Sequence, residues 1–316
     1  MIPNSPKLVV FWYIAAATVI GISGALNLHF PFVADQVVAL IAAKTLQSGG
    51  TLYVDFWDNK MPGLFWFYWA AGELFGYSEF GVHLLELLWM ACFSIVLMTG
   101  LRSYFFHSWL SSVAAIAVVG IYFVAAESFQ LTQLEILIGL PAFLSAWLAI
   151  RARSTTKKII VYGFLSGVFA GITVCFKLVL APLFVFFWLV STVALLHERS
   201  SELVKRLFLI WGAVTVGVVL VIVAVVVKFY LDGALKELYW TAFVYPPAAL
   251  QSSPPAPLYR LLSSATYFAS YYATWSLFIV VALLHWWRSD RRNYLTTMMV
   301  GWLVVGSVLI LIQKFS

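Results

Sequence analysis

Apolar and polar positions along this chain alternate in long blocks, not residue by residue, with short polar or basic segments between them. A helix rises about 1.5 Å per residue and the hydrocarbon layer is about 30 Å thick, so a crossing needs about 20 apolar residues. Nine runs approach that length: 8–26, 82–101, 109–126, 131–150, 159–176, 179–196, 207–227, 265–286 and 295–312. Two boundaries come from length alone. As one helix, residues 159–196 would be about 57 Å long, nearly twice the layer, so the chain must reverse near Lys177 and Pro182. The same reasoning splits 109–150 at the polar stretch from Glu127 to Glu135. The predicted fold is all-α, a polytopic transmembrane helical bundle of about nine spans, and 1–316 reads as a single transmembrane domain.

Two segments between spans are long. The first, 27–81, has 55 residues, and the second is 228–264. Within the first, Asp35 to Gln47 predicts a short helix with Val37, Val38, Leu40, Ile41 and Leu46 apolar, ended by Ser48, Gly49 and Gly50. Residues 63–76, with Trp66, Tyr68 and Trp69, predict a second helix at the interface, where aromatic rings with a polar edge are stable. The second segment holds Pro246, Pro247, Pro254, Pro255 and Pro257, which disfavour helix and predict an extended stretch. Gly163, Gly167 and Gly171, spaced by four, predict close helix packing on one face. No internal repeat is visible.

Composition narrows the class further. The chain is 63% hydrophobic and 10% charged, with mean hydropathy +0.96. A soluble domain is about half apolar and a quarter charged, so a soluble globular fold, disorder, a disulfide-stapled secreted fold and a coiled coil are excluded. The two cysteines, Cys92 and Cys175, lie in apolar runs and read as core residues. Residues 8–26 are too long for a signal-peptide core, although Ser23, Gly24 and Ala25 are small enough for a cleavage site.

The net charge of +6 does not indicate nucleic acid, because the basic residues are scattered between spans instead of forming a stripe. Twelve of the nineteen Lys and Arg, including Lys7, Arg102, Arg151, Arg153, Arg199, Arg291 and Arg292, fall on one side. The positive-inside tendency then puts the N-terminus in the cytoplasm and, with an odd number of spans, the C-terminus outside. Nine of thirteen acidic residues fall outside, and Glu86, near the outer end of the second span, reads first as a boundary residue whose carboxylate reaches the interface.

The outer side also concentrates the candidate chemistry. Between Asp35 and Gly63 lie three carboxylates, Asp35, Asp55 and Asp58, and two ammonium groups, Lys44 and Lys60. A partly desolvated carboxylate can take a proton from a hydroxyl as a general base, and an ammonium beside it can hold a phosphate. The competing structural roles are helix N-capping for Asp35 and solvated turns for Asp55 and Asp58. Glu135, after a Gln/Thr-rich turn on the same side, stays open between a boundary residue and a site residue. His29, His83, His107, His197 and His285 are too far apart to predict a metal site and read as interfacial or core histidines.

An aspartate early in the first outer loop, the Gly50-x-x-Tyr53-x-Asp55 segment, Asp58-x-Lys60-x-Pro62 and an aromatic helix ending in Leu74-Phe-Gly76 together resemble the type C (GT-C) glycosyltransferases. The nearest branch is that of protein O-mannosyltransferases and lipid A aminoarabinose transferases (families 39 and 83). Gln130-Leu-Thr-Gln-Leu-Glu135 and the small-residue helix from Gly163 to Lys177 extend the likeness over about residues 8–200. The resemblance implies a bacterial plasma-membrane enzyme, surrounded by membrane lipids, that takes a sugar from a polyprenyl-phosphate donor and passes it to a hydroxyl of a lipid, glycan or protein. It implies Asp35 as catalytic base, Lys60 near the donor phosphate and Glu135 as a second acidic catalytic group. Tyr53, Asp55, Asp58 and Lys177 become substrate-binding candidates. Two departures stand out: Asp35-Gln36 where many relatives have Asp-Glu, and Lys60-Met-Pro62 where they have Lys-Pro-Pro. The first weakens any metal role at that point, and whether a divalent cation takes part is unknown.

Two other classes are compatible with apolar spans and outer cations. A transporter or flippase of lipid-linked sugars should show inverted repeats and broken helices with midplane polar sites. A noncatalytic scaffold would leave the clustered acids and lysines of the first loop unexplained. The ending Gln313-Lys-Phe-Ser316 directly after an apolar run also resembles the point where family members continue, which predicts a shortened or truncated, and then inactive, member.

Overall fold

The computed structural model describes residues 6–105, 107, 109–152, 156–198, 202–251 and 294–312, with isolated positions between 259 and 288. The expected span 265–286, the prolines 254, 255 and 257, residues 313–316, and Arg153, Arg199, Arg291 and Arg292 lie outside the described residues. Among the described residues there is no strand, only an isolated bridge between Leu52 and Phe56. Among the described residues six helices are long and apolar enough to cross a membrane: Lys7–Ala25, Glu79–Leu101, Leu134–Arg151, Lys158–Phe176, Leu178–His197 and Leu203–Leu231. Shorter apolar helices occupy Trp109–Ala125 and Tyr294–Gly306. The protein is therefore an all-α polytopic membrane bundle. The two boundaries argued from length hold, at a break after Phe176 with Pro182 opening the next helix, and at a break between Ala125 and Leu134.

The chain divides into two compact units. Unit 1 comprises residues 1–144, Cys175–Lys177 and Tyr230–Glu237. It contains α1 (Pro6–Ala25), α2 (Asp35–Gln47), α3 (Pro62–Phe75) and α4 (Glu79–Leu101). These are followed by α5 (Trp109–Ala115), a π-turn over Ile116–Gly120, α6 (Ile121–Ala125), α7 (Leu134–Leu137) and the first turns of α8 (Gly139–Arg151). α4 packs on α1 and α5, while the short helices α2 and α3 pack on each other and α3 on α4. Local chemistry sets the ends of these helices. Pro62 opens α3 where its missing N–H costs nothing, and Ser78 caps α4 by accepting the Gly81 N–H. A Cβ at Gly63 would stand 2.7 Å from the Cys175 carbonyl oxygen, so only glycine lets the start of α3 lie against the Cys175–Lys177 backbone. Asn27, just past α1, donates to the Phe123 carbonyl at 2.7 Å and ties the same ends of two helices.

Unit 2 contains most of α8, α9 (Thr156–Phe176) and α11 (Leu203–Leu231), together with α10 (Ala181–His197), α13 (Tyr245–Gln251) and α14 (Tyr294–Ile312), while α12 (Leu235–Tyr239) begins in unit 1 and ends in unit 2. The glycine face predicted on α9 is present and meets α11. A Cβ on Gly167 would collide with the Val214 carbonyl, and one on Gly217 with that of Phe164, so each backbone fits where the other has no side chain. Ser166, Trp188 and Ser145 form a buried hydrogen-bonded set between α8, α9 and α10. The outward faces stay apolar, as at Val216, Val219 and Leu220 of α11, as a helix facing lipid requires.

Two expectations are corrected. Pro246 and Pro247 do not open an extended stretch: they stand in the first turn of α13, directly after a π-turn over Trp240–Val244. The wider i→i+5 turn makes room for two residues that cannot donate to the preceding carbonyls. Cys92 is not a core residue but lies on the exposed face of α4, and Cys175 is half-buried. A membrane span is apolar on its lipid face as well as its packed face, so an apolar run does not reveal which side a residue takes.

Candidate active site

The candidate site gathers at the end of unit 1 formed by the C-terminus of α1, the N-terminus of α4 and the loops beside them. α2 begins at Asp35, and Ala34 before it has φ 50° and ψ −115°, a conformation costly for any residue with a Cβ. The Asp35 side chain does not cap its own helix. Its carboxylate Oδ1 lies 3.2 Å from the Lys60 Nζ, across 25 residues of sequence. Asp58 approaches the same ammonium at 3.5 Å and accepts the Lys60 backbone N–H at 2.9 Å. Lys60 is 16% exposed and Asp35 51%, so a partly sheltered cation is held between one open and one sheltered carboxylate.

Tyr53 supports this turn from below. It is buried, has φ 68°, and donates its hydroxyl to the Lys60 carbonyl at 2.7 Å. Burial above all, then the charge of Asp58 and the Cys175 thiol, pushes its phenol well above the usual range, so it remains a neutral donor. Asp55 does not join the cluster. It is exposed and accepts the Thr51 N–H at 2.7 Å, closing the turn between them. Glu135 and Lys177 form a second pair at 2.8 Å, with the carboxylate half exposed.

Sequence reasoning missed the buried polar layer below these pairs. Glu86 is not a boundary residue reaching the interface: its side chain is 1% exposed and four groups surround it. Oε1 accepts from the Thr132 N–H at 2.7 Å and from the Tyr122 hydroxyl, and Oε2 accepts from the Thr132 hydroxyl at 2.7 Å. His83 Nδ1 lies 3.1 Å from both Oε2 and the Thr132 Oγ1. Position 86 falls on the α4 face turned to the Leu131–Glu135 segment, with His83 one turn before it, which is why the carboxylate points inward. Tyr68, whose hydroxyl reaches towards the Thr132 carbonyl, has its phenol pushed well up by burial and then by Glu86.

Gln36 belongs to the same layer. Its Oε1 accepts the Val33 N–H at 2.9 Å and its Nε2 donates to the Leu131 carbonyl at 2.8 Å. The residue that departs from the family's second acid thus needs one acceptor and one donor, which an amide supplies and a carboxylate does not. Among the described residues no group of three or more His, Cys, Asp or Glu side chains is placed to hold a metal ion.

A helical membrane protein with sheltered lysines paired to exposed carboxylates at one end of its spans has the equipment to bind a phosphate and to take up a proton. The sequence profile of the dolichyl-phosphate-mannose-protein mannosyltransferase family matches residues 59–230, and the chain belongs to that family of GT-C membrane glycosyltransferases. The matched segment includes Lys60, Glu86, Glu135 and Lys177, and begins after Asp35. No curated protein and no solved structure matches the chain.

Proposed function

We propose that this chain transfers a sugar from a polyprenyl-phosphate carrier to a hydroxyl of a lipid, glycan or protein at the outer face of a bacterial plasma membrane, with the N-terminus in the cytoplasm. The observation that carries the proposal is the Asp35–Lys60 pair at 3.2 Å, built on a turn that the family profile covers from residue 59. A lipid-linked sugar has its tail in the bilayer and its phosphate at headgroup depth. A cation at the end of the spans suits that phosphate, and a half-exposed carboxylate beside it suits the acceptor.

In the resting arrangement the carboxylate and the ammonium touch, so the donor phosphate must displace Asp35 from Lys60. With its carboxylate half exposed, the pair is worth on the order of 1 kcal/mol, so its opening costs little, while Asp58 keeps hold of the lysine. The freed Asp35 takes the proton of the acceptor hydroxyl as its oxygen attacks the anomeric carbon. The bond to the phosphate oxygen breaks on the opposite face, the configuration inverts, and polyprenyl phosphate leaves with its negative charge against Lys60. In the same reading Glu135 orients the acceptor and Lys177, its partner at 2.8 Å, contacts the phosphate.

The test is transfer from a polyprenyl-phosphate sugar in proteoliposomes by wild type and Asp35→Asn. A loss of at least a hundredfold in kcat with donor KM little changed is expected, because the base acts only in the transition state. Equal transfer by both proteins refutes the assignment of Asp35. Movement of the intact lipid without transfer would favour a flippase.

A further inference from the structure

Thr132 is a β-branched residue with φ 51°, a left-handed backbone conformation that such residues rarely adopt. Its backbone N–H and its hydroxyl are taken by the two oxygens of Glu86, and its carbonyl is approached by the Tyr68 hydroxyl at 3.4 Å. The residue before it, Leu131, is held by Gln36, the neighbour of Asp35 in α2. Three residues on, Glu135 meets Lys177. The Leu131–Glu135 segment is therefore fixed from beneath by one buried carboxylate and tied sideways to both ion pairs.

We propose that Glu86 is a positioning residue, whose buried carboxylate holds Thr132 in its left-handed conformation and so sets where the Leu131–Glu135 segment presents Glu135 to Lys177 and braces the Asp35 helix through Gln36. Glu86 touches no substrate and acts through Thr132. The activity arm of its test rests on the glycosyltransferase reading above, and the exchange arm does not.

Conservative and compensating variants separate this role from general support of the fold. In Glu86→Gln the amide oxygen can still accept the Thr132 N–H. Its NH2 can donate to the Thr132 hydroxyl and to His83 Nδ1, with the imidazole proton moved to Nε2, the ring nitrogen that has no hydrogen-bond partner. Glu86→Ala removes both carboxylate oxygens that accept from Thr132. Thr132→Gly adopts the left-handed conformation without help and carries no hydroxyl to satisfy, while the Tyr122 oxygen, 3.1 Å from the Thr132 N–H, remains to accept it.

Hydrogen exchange of the peptide spanning 128–137 and donor-dependent transfer are measured on the full chain in nanodiscs for wild type, E86Q, E86A, T132G and E86A/T132G. E86A is expected to speed exchange there at least tenfold and to lower kcat at least tenfold with donor KM within twofold. E86Q should stay within threefold of wild type, and E86A/T132G within threefold of T132G. The proposal is overturned if E86A matches wild type in exchange, if E86Q is damaged as severely as E86A, or if T132G brings no recovery. Should E86A fail to fold, folding of E86A/T132G supports the proposal and its failure overturns it. Wild type without transfer would sink the functional reading alone, and the exchange data would still decide the role of Glu86.

Discussion

Gln36→Glu is the smallest change that tests the buried layer, since it replaces one NH2 by one oxygen. The side chain is 1% exposed and its amide nitrogen sits 2.8 Å from the Leu131 carbonyl. An ionised carboxylate there sets oxygen against oxygen without water and keeps only the bond from Val33. A protonated carboxyl can donate to Leu131 and reproduce the amide. The folded state therefore binds the proton more tightly than the unfolded state, and the introduced group has a raised folded-state pKa. Buried Glu carboxyls reach about 8–9 against about 4.3 unfolded. A rise of half that size, about 2 units at about 1.4 kcal/mol each, costs about 3 kcal/mol once the pH exceeds the folded value.

The sign fixes the pH window. With the folded pKa raised, the variant is close to wild type below about pH 4.3 and loses stability as the pH climbs to about 7. At about 2–4 °C per kcal/mol the deficit in thermal midpoint is on the order of 10 °C at pH 7.5. Fourteen tryptophans make fluorescence-monitored melting of the detergent-solubilised protein a direct assay. Gln36→Leu, which lacks both polar atoms, should lose stability to the same extent at pH 4.5 and pH 7.5. A Gln36→Glu deficit that is absent at pH 7.5, or equal at both pH values, would refute the two-partner account of Gln36.

Lys60→Met should raise the donor KM about 10- to 100-fold, the worth of one charge-assisted hydrogen bond of about 1.5–3 kcal/mol, as read from initial rates in proteoliposomes. An unchanged KM would remove Lys60 from phosphate binding. Gly167→Leu should force α9 from α11 and cost at least about 1–3 kcal/mol of stability, whereas Gly212→Leu, in open space on α11, should cost little. Equal melting of the two variants would show that the glycine contact does not hold unit 2.

Span lengths and reversals were legible because they follow from the layer thickness: a mostly apolar stretch of 38 residues, 159–196, has to turn, and Lys177 and Pro182 mark where. The ion pairs were half legible. Dense charge beside apolar spans pointed to the segment from Asp35 to Gly63 and the family resemblance to Asp35 and Lys60 within it, but nothing local separates Asp58, which braces the lysine, from Asp55, which closes a turn. The buried layer was not legible. The partners of Gln36 are 3 and 95 residues away, and those of Glu86 are 3, 36 and 46 away, so neither a window nor a period brings them together. A membrane span also lacks the polar outer face that marks the inward side of a soluble helix, which is why Glu86 and Cys92 both took the unexpected side.

Strain shows which parts of the site are fixed and which are free. Among the described residues three non-glycine residues have positive φ, namely Ala34, Tyr53 and Thr132, and each adjoins a candidate group. Such conformations cost of order 1–3 kcal/mol each and persist only where the surroundings over-determine them. Here the surroundings can be named. Gln36 bonds the Val33 N–H just before Ala34, the Phe56 carbonyl accepts from Tyr53 N while its hydroxyl holds Lys60, and Glu86 holds Thr132. The turns that carry Asp35, Lys60 and Glu135 are thus set by buried and half-buried hydrogen bonds worth about 1 kcal/mol apiece. The Asp35–Lys60 contact is looser, with its carboxylate half exposed, and worth on the order of 1 kcal/mol. In the proposed transfer a donor meets rigid turns and the Asp35–Lys60 pair, and separating that pair is what frees Asp35 to act as the base.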